Sequence, residues 1–242
     1  MNASTTVPTP SAPTAAANLA ATPALSPQAR FWNRIARRYA ADPIADLAGY
    51  EATLQRVRTL LKPSDEVLEI GCGTGTTALR LADQVRHYAA TDVAPQMVAI
   101  AREKLSAQPL PGLSFDVMDV EQPDLGLSRF DAVLAFNVLH LVHDLDQTLE
   151  QLLPSLKPGG LLIAKTACVA EMNPLVPWLA VPLMRAIGKA PPVQCFKAEH
   201  LQNTLQRHGL VLEATERHGT KKRDIRLFTV ARKAGIVRRR AA

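Results

Sequence analysis

Five short apolar runs, Glu66–Ile70, His87–Thr91, Leu113–Val117, Phe130–Phe136 and Leu161–Thr166, punctuate the middle of this 242-residue chain, most of them separated by amphipathic segments. Each is too short for a buried helix, too apolar for a loop and bounded by turn residues, so each predicts a strand. Strands alternating with helices at such spacing build βαβ units, whose crossovers are right-handed. The pattern therefore predicts an α/β fold of three layers, doubly wound on a mostly parallel sheet. Two further runs, Leu210–Glu216 and Ile225–Arg232, are separated by only a few residues around Gly219. No crossover fits in that space, so they predict a hairpin that closes a seven-stranded sheet with its last strand antiparallel.

The segments outside this repeat set the domain boundaries. Residues 1–29 carry no charged side chain and are mostly Ala, Thr, Pro and Ser, which predicts a disordered leader. The methyl-rich composition lacks the basic start of a secretory signal and the arginines of a transit peptide. A single domain is expected over 30–233. Residues 30–62 hold two helices: Phe31, Trp32, Ile35 and Tyr39 share one face, and Leu47, Tyr50, Leu54, Val57 and Leu61 mark a second. Residues 63–167 form the core of the repeat, with helices over Thr76–Val85, from Pro95, and over Leu145–Leu156. Lys157-Pro158-Gly159-Gly160 is a breaker before the fifth strand. A helical insertion spans 168–208, the hairpin 209–233, and a basic tail 234–242.

Charge must be located before it is interpreted. The formal net charge is +6, from 28 Lys and Arg against 22 Asp and Glu. From Arg217 onward ten residues are basic and one, Asp224, is acidic; the preceding 216 hold 18 basic and 21 acidic residues. The body is slightly acidic, so whole-chain basicity is no argument for a nucleic-acid-binding body. Cys72, Cys168 and Cys195 are widely spaced and form neither a disulfide framework nor a zinc pattern, which suits a reducing cytosol and predicts no metal site. No run reaches the length of apolar chain a membrane helix needs. A cytoplasmic protein is expected.

The chemistry concentrates where the first strand ends, in Glu69-Ile70-Gly71-Cys72-Gly73-Thr74-Gly75. Three glycines two apart let the backbone approach a ligand with no Cβ in the way, and a helix start beyond them offers unsatisfied N–H groups. A dinucleotide fingerprint would place its third glycine at position 76, which is Thr76 here. The next strand ends on Asp92, 21 residues beyond Gly71, where a carboxylate can hold a ribose diol.

With these features the stretch from about Phe31 to Lys233 resembles the class I, Rossmann-like S-adenosylmethionine-dependent methyltransferases. Glu69 to Gly75 resembles that family's first motif, so Glu69, Gly71, Cys72, Gly73, Thr74 and Gly75 are implied at the methionine part of S-adenosyl-L-methionine. Asp92 is similar to the family's ribose-binding acid, Val93 and Met97 match positions lining the adenine, and Asp119-Val120 resembles the motif whose acid accepts from the adenine amino group. Phe130 to His140 resembles the fourth strand and its loop, which brings in Asn137. The resemblance implies transfer of a methyl group by in-line displacement.

Such a displacement asks the protein mainly for alignment and exclusion of water. A general base is needed only if the acceptor must lose a proton, and His140, just past the fourth strand, is the candidate; a histidine that merely shapes the loop is the alternative. Glu69 orders the cofactor or pairs with a basic neighbour, and Asp131 is expected to be structural. Asn137-Val138-Leu139-His140 departs from the Pro-Pro-aromatic loop of the adenine- and glutamine-N-methylating branches. The insertion Met172–Met184, rich in Leu, Val, Met and Trp, reads as an apolar lid, as core packing, or as a weak lipid-surface contact. The expected partner is a small, partly hydrophobic methyl acceptor. The alternatives are an RNA methyltransferase using the basic tail, and a protein that binds S-adenosylmethionine without turnover.

Overall fold

The computed structural model describes residues 25–173, 175–186, 190–220 and 224–235. Strands β1 (Glu66–Ile70), β2 (His87–Asp92), β3 (Leu113–Val117), β4 (Phe130–Phe136), β5 (Leu156–Ala167), β6 (Leu210–Glu216) and β7 (Arg226–Lys233) form one sheet in the order β3-β2-β1-β4-β5-β7-β6. The first five pair in parallel, and β7 lies antiparallel between β5 and β6. This is the doubly wound architecture that the strand pattern predicts, with the chain reversing direction across β1 and β4.

The period-two burial of the strands sorts their side chains onto two apolar layers. On one face Leu68, Ile70, Val133 and Ala135 pack under α5 (Leu145–Leu152) and α7 (Ala198–Arg207). On the other, Val67, Tyr88, Ala90 and Leu134 meet Leu54 and Val57 of α2 (Leu47–Arg58), Leu81 of α3 (Ala78–Leu81) and Val98 of α4 (Pro95–Ala107). Helix α1 (Pro27–Ala41) belongs to neither layer. It rests on α4 through Ala36, Ala94, Met97 and Ile100.

Several local expectations are corrected. Helix α1 starts at Pro27, inside the segment read as leader, because Ser26 accepts a hydrogen bond from the Ala29 N–H at 3.1 Å and Pro27 takes the first turn; residues 1–24 lie outside the described ones, as does most of the basic tail. The helix after the glycine turn is one turn long and passes into a 3₁₀ turn over Ala82–Gln84 rather than running to Val85. Helix α5 likewise tightens to 3₁₀ at Leu153–Ser155, where Pro154 falls. Lys157-Pro158-Gly159-Gly160 does not precede β5 but lies within it, as a register shift opposite Phe130–Ala132. Asp131 anchors that irregularity: its carboxylate accepts from the Glu66 N–H at 2.9 Å and from Lys157 Nζ at 2.8 Å, a structural role as expected.

The insertion is helical only in parts. A π-helical turn over Val176–Ala180 leads into the short α6 (Val181–Ala186), and the stretch through Pro191 and Pro192 to α7 is irregular. Cys168, Phe196, Leu201 and Leu205 at its two ends join the core, but between them Trp178 is 82% exposed, Leu175 65% and Leu183 59%.

Helix α1 holds α4 by capping it. Asn33 Oδ1 accepts from the Gln96 N–H at 2.8 Å, satisfying a donor that the α4 N-cap residue, Ala94, cannot. Asn33→Ala should therefore cost about 1 kcal/mol of stability, read as a lower urea midpoint at unchanged slope; a midpoint equal to wild type would show that the contact contributes nothing.

Candidate functional site

The carboxyl ends of β1, β2 and β4 meet at one edge of the sheet, and the turn after β1 occupies it. The turn is pinned on three sides. The Cys72 N–H donates to the Thr91 carbonyl at 2.9 Å and the Gly75 N–H to the Cys72 carbonyl at 3.0 Å. From α4, Lys104 Nζ donates to the Thr74 carbonyl, the Thr74 hydroxyl and the Thr76 hydroxyl at 2.9, 3.0 and 3.2 Å. The glycines have different reasons. A Cβ on Gly75, whose φ is +76°, would lie 2.6 Å from Phe115 Cζ, and one on Gly71 would lie 2.6 Å from Val138 Cγ2. At Gly73 it would meet nothing nearer than Tyr39 Cε1 at 3.9 Å. Gly71 and Gly75 are packing glycines; Gly73 is the one that leaves space.

Asp92 stands beside that space. Its Oδ2 accepts from the Gly73 N–H and its Oδ1 from the Ala94 N–H, both at 2.9 Å, and each oxygen keeps a further acceptor position. Burial lifts the carboxyl above its ordinary pKa while the two N–H donors pull it down. The Met118 N–H donates to the Asp92 carbonyl at 3.0 Å, which draws the β3 exit and Asp119 toward this corner. Asp119 is half-buried and closes a local turn, accepting from the Glu121 N–H at 3.0 Å. Val93 and Val120 are half-buried near it. Met97 differs: at 1% exposure its side chain is spent on the α1–α4 contact rather than presented to the open space.

Glu69 is 2% exposed and, among the described residues, has no basic neighbour in hydrogen-bonding range; the Tyr88 hydroxyl donates to its Oε2 at 2.9 Å. Burial first, then the field of Asp92, push its pKa to about 7 against the hydrogen bond from Tyr88. Cys72 is buried and its thiol pKa is driven far up by burial and both acids, so it is an inert turn side chain. Asn137, at φ +55°, turns the chain out of β4, its N–H bound to the Lys165 carbonyl at 2.7 Å. His140 follows. Its carbonyl accepts from the Gln194 N–H at 2.8 Å, while its Nδ1 is buried without a partner. Burial and the charge of Arg226 lower the imidazole pKa to about 4.

Helix α1 roofs this edge, a placement that helical periodicity alone does not reveal. Gln28 Nε2 donates to the Leu141 carbonyl beyond β4 and to the Pro192 carbonyl at 3.2 Å. Tyr39, near the other end, comes over Gly73, and its phenol pKa is raised by burial and Asp92 and lowered by Arg226. Lys104, Tyr88 and Arg226 are likewise absent from the motifs, because their roles come from elements distant in sequence.

Sheet order, glycine turn and strand-end acid together define a Rossmann-like α/β fold with its candidate site at the switch point of the sheet. Residues 67–160 match the family model described as a methyltransferase domain. An iterative polyketide synthase of Emericella nidulans is 35% identical over 125 residues, 47% of this chain and 4% of the synthase. An uncharacterized methyltransferase of Mycobacterium bovis is 34% identical over 100 residues, 41% of this chain and 49% of that protein. The chain thus spans at most about half the length of these curated relatives. A putative methyltransferase of Haloferax volcanii, solved in complex with the Trm112 activator, superposes with a TM-score of 0.68 at 18% identity, covering 84% of this chain and 97% of that one. Residues 67–160 are thus similar to methyltransferase domains, and the fold is the one shared with solved methyltransferase structures.

The raised pKa of Glu69 has a sign that can be checked. Between its ordinary value of 4.5 and about 7 the folded protein binds more protons than the unfolded chain, so this group's contribution to stability falls as pH rises through that window. Glu69→Gln, which keeps an oxygen for Tyr88, should raise the ligand-free melting temperature at pH 8 and converge on wild type near pH 5. A pH-independent difference would remove the buried carboxylate as the cause.

Proposed function

We propose that this chain transfers a methyl group from S-adenosylmethionine to a small, partly hydrophobic acceptor bound under α1. The observation that carries the reading is the buried Asp92 carboxylate, with spare acceptor positions on both oxygens, beside the open backbone at Gly73. An acceptor-only group at that point suits a diol, and a cradle with no Cβ suits a ligand lying on the turn, so the residues fit the cofactor. S-adenosylmethionine when bound supplies a methyl carbon already activated by its sulfonium.

The chain's own groups then bind, orient and exclude water. Asp92 takes the ribose hydroxyls; Glu69, Gly71, Cys72, Gly73, Thr74 and Gly75 form the wall for the methionine part; Val93, Asp119 and Val120 border the adenine; Asn137 turns the chain away at the far side. Tyr39 and the rest of α1 cover the edge, which favours an acceptor small enough to be enclosed over a folded RNA. His140 is neutral at physiological pH. A pKa near 4 makes it a poor base for removing a proton in advance, so its free Nδ1 holds the acceptor's X–H in line and takes the proton only as the new bond forms.

Calorimetry should show the wild-type chain binding S-adenosylhomocysteine, and Asp92→Ala weakening it by at least about thirtyfold through lost charged hydrogen bonds. Asp92→Asn, which keeps an acceptor, should lose less. If wild type binds neither S-adenosylmethionine nor its demethylated product, the proposal is wrong.

A further inference from the structure

Arg226 opens β7 opposite Ala167, at the carboxyl end of β5. Two residues back along both strands, Lys165 faces Phe228, and Lys165 Nζ reaches Thr53 Oγ1 of α2 at 2.7 Å. The two-residue period of a strand puts Arg226 on that same face, the side roofed by α1 and α2, one step further toward the site edge. There its charge is felt by Tyr39 on the roof, by His140 on the β4 loop and by Lys165 below.

The guanidinium is half-buried and, among the described residues, makes no ion pair and no side-chain hydrogen bond. The nearest acid in sequence, Asp224, spends its carboxylate on the backbone N–H groups of Gly219 at 2.8 Å and of Arg226 itself at 3.1 Å. The residues outside the described ones contain no Asp or Glu that could pair with it. Beside it lies a second unspent group, the buried Nδ1 of His140. A partly desolvated cation without a counter-charge is costly, and an ordering of five N–H donors in a planar fork fits a carboxylate with two parallel hydrogen bonds.

We propose that the methyl acceptor carries a carboxylate and that Arg226 binds it, with His140 Nδ1 contributing to the same pocket. This rests on the methyltransferase reading given above. Arg226 is a specificity residue: it selects the acceptor and takes no part in holding S-adenosylmethionine, whose implied contacts lie on β1 and its turn, β2 and the exits of β3 and β4. Acceptors whose carboxylate has been esterified or amidated would leave the guanidinium unpaired and be rejected for that reason.

The test is calorimetric. Wild type saturated with S-adenosylhomocysteine is titrated with acetate, benzoate and phenylacetate, and in parallel with acetamide, benzamide and phenylacetamide. At least one carboxylate should bind about thirtyfold or more tightly than its amide, as for a hydrogen-bonded charge pair. Arg226→Gln should abolish that preference while changing the S-adenosylhomocysteine affinity by less than about threefold, which also certifies the fold; Arg226→Lys should keep part of it. No preference in wild type, or a preference that survives in Arg226→Gln, overturns the inference while leaving methyl transfer intact. Failure of S-adenosylhomocysteine to bind wild type overturns the methyltransferase reading and this inference with it.

Discussion

One carboxylate ties the working edge of this protein together. A parallel sheet ends in strand termini whose loops leave in different directions, and nothing in the ladder itself fixes one loop against the next. Asp92 does so here by accepting the Gly73 N–H from the turn after β1 and the Ala94 N–H from the start of α4. Its own carbonyl takes the Met118 N–H from the exit of β3. Three loops from three strands thus converge on one residue. Burial raises the pKa of this carboxyl, and the two N–H donors that face it offset part of that cost.

The electrostatics of the edge follow from where that acid sits. Glu69 lies close enough for Asp92 to raise its pKa, and its direct partner is the Tyr88 phenol rather than a base. The carboxyls buried at the β1–β2 side, Glu69 and Asp92, lie in a setting where their field is weakly screened, while the Lys104 ammonium is spent on Thr74 and Thr76 of the turn. The β5–β7 side carries Lys165 and Arg226 on one face, with Asp224 and Asp46 near enough for their charges to act on Lys165. A donor that carries a positive sulfonium would suit the first side, and burial, together with the charge of Arg226 on the second side, lowers the His140 pKa to about 4. The polarity runs across the gap between β1 and β5, the direction along which a methyl group would pass from donor to acceptor.

Local pattern made the sheet legible and long-range packing hid the roof. β3 and β4 have the bounds that their apolar runs indicate, and the hairpin follows from loop length alone. The Gly71–Gly75 turn and Asp92 were legible because their spacing is itself the geometry. The Thr76–Val85 helix was overestimated because Ala and Leu favour helix, yet tertiary placement leaves only one turn. Pro158 and Gly159 look like a stop, but a register shift at the start of the strand tolerates both. His140 could be placed by its position after β4, though its burial could not. Lys104, Tyr88 and Arg226 carry no motif: each reaches its partner in the site from 19 to 86 residues away, a pairing that no periodicity encodes.

The roof is also the least securely held part of the site. Only Ala29 and Ala36 of α1 are fully buried, and the apolar contact beneath it is a small cluster rather than either main layer. Its other attachments are side-chain hydrogen bonds, from Gln28 at one end and Asn33 in the middle, with an exposed Arg37–Glu103 pair at 3.5 Å adding little. The strands and the turn beneath it are held instead by ladder hydrogen bonds and by completely buried side chains such as Leu68 and Leu134. Local opening draws on the weakest contacts first, so α1 can lift while the Asp92 junction stays formed. A rigid turn and strand-end acid under a roof held by one small apolar cluster and a few hydrogen bonds would separate the two demands of methyl transfer: fixed geometry for the donor, and passage for whatever enters beside it.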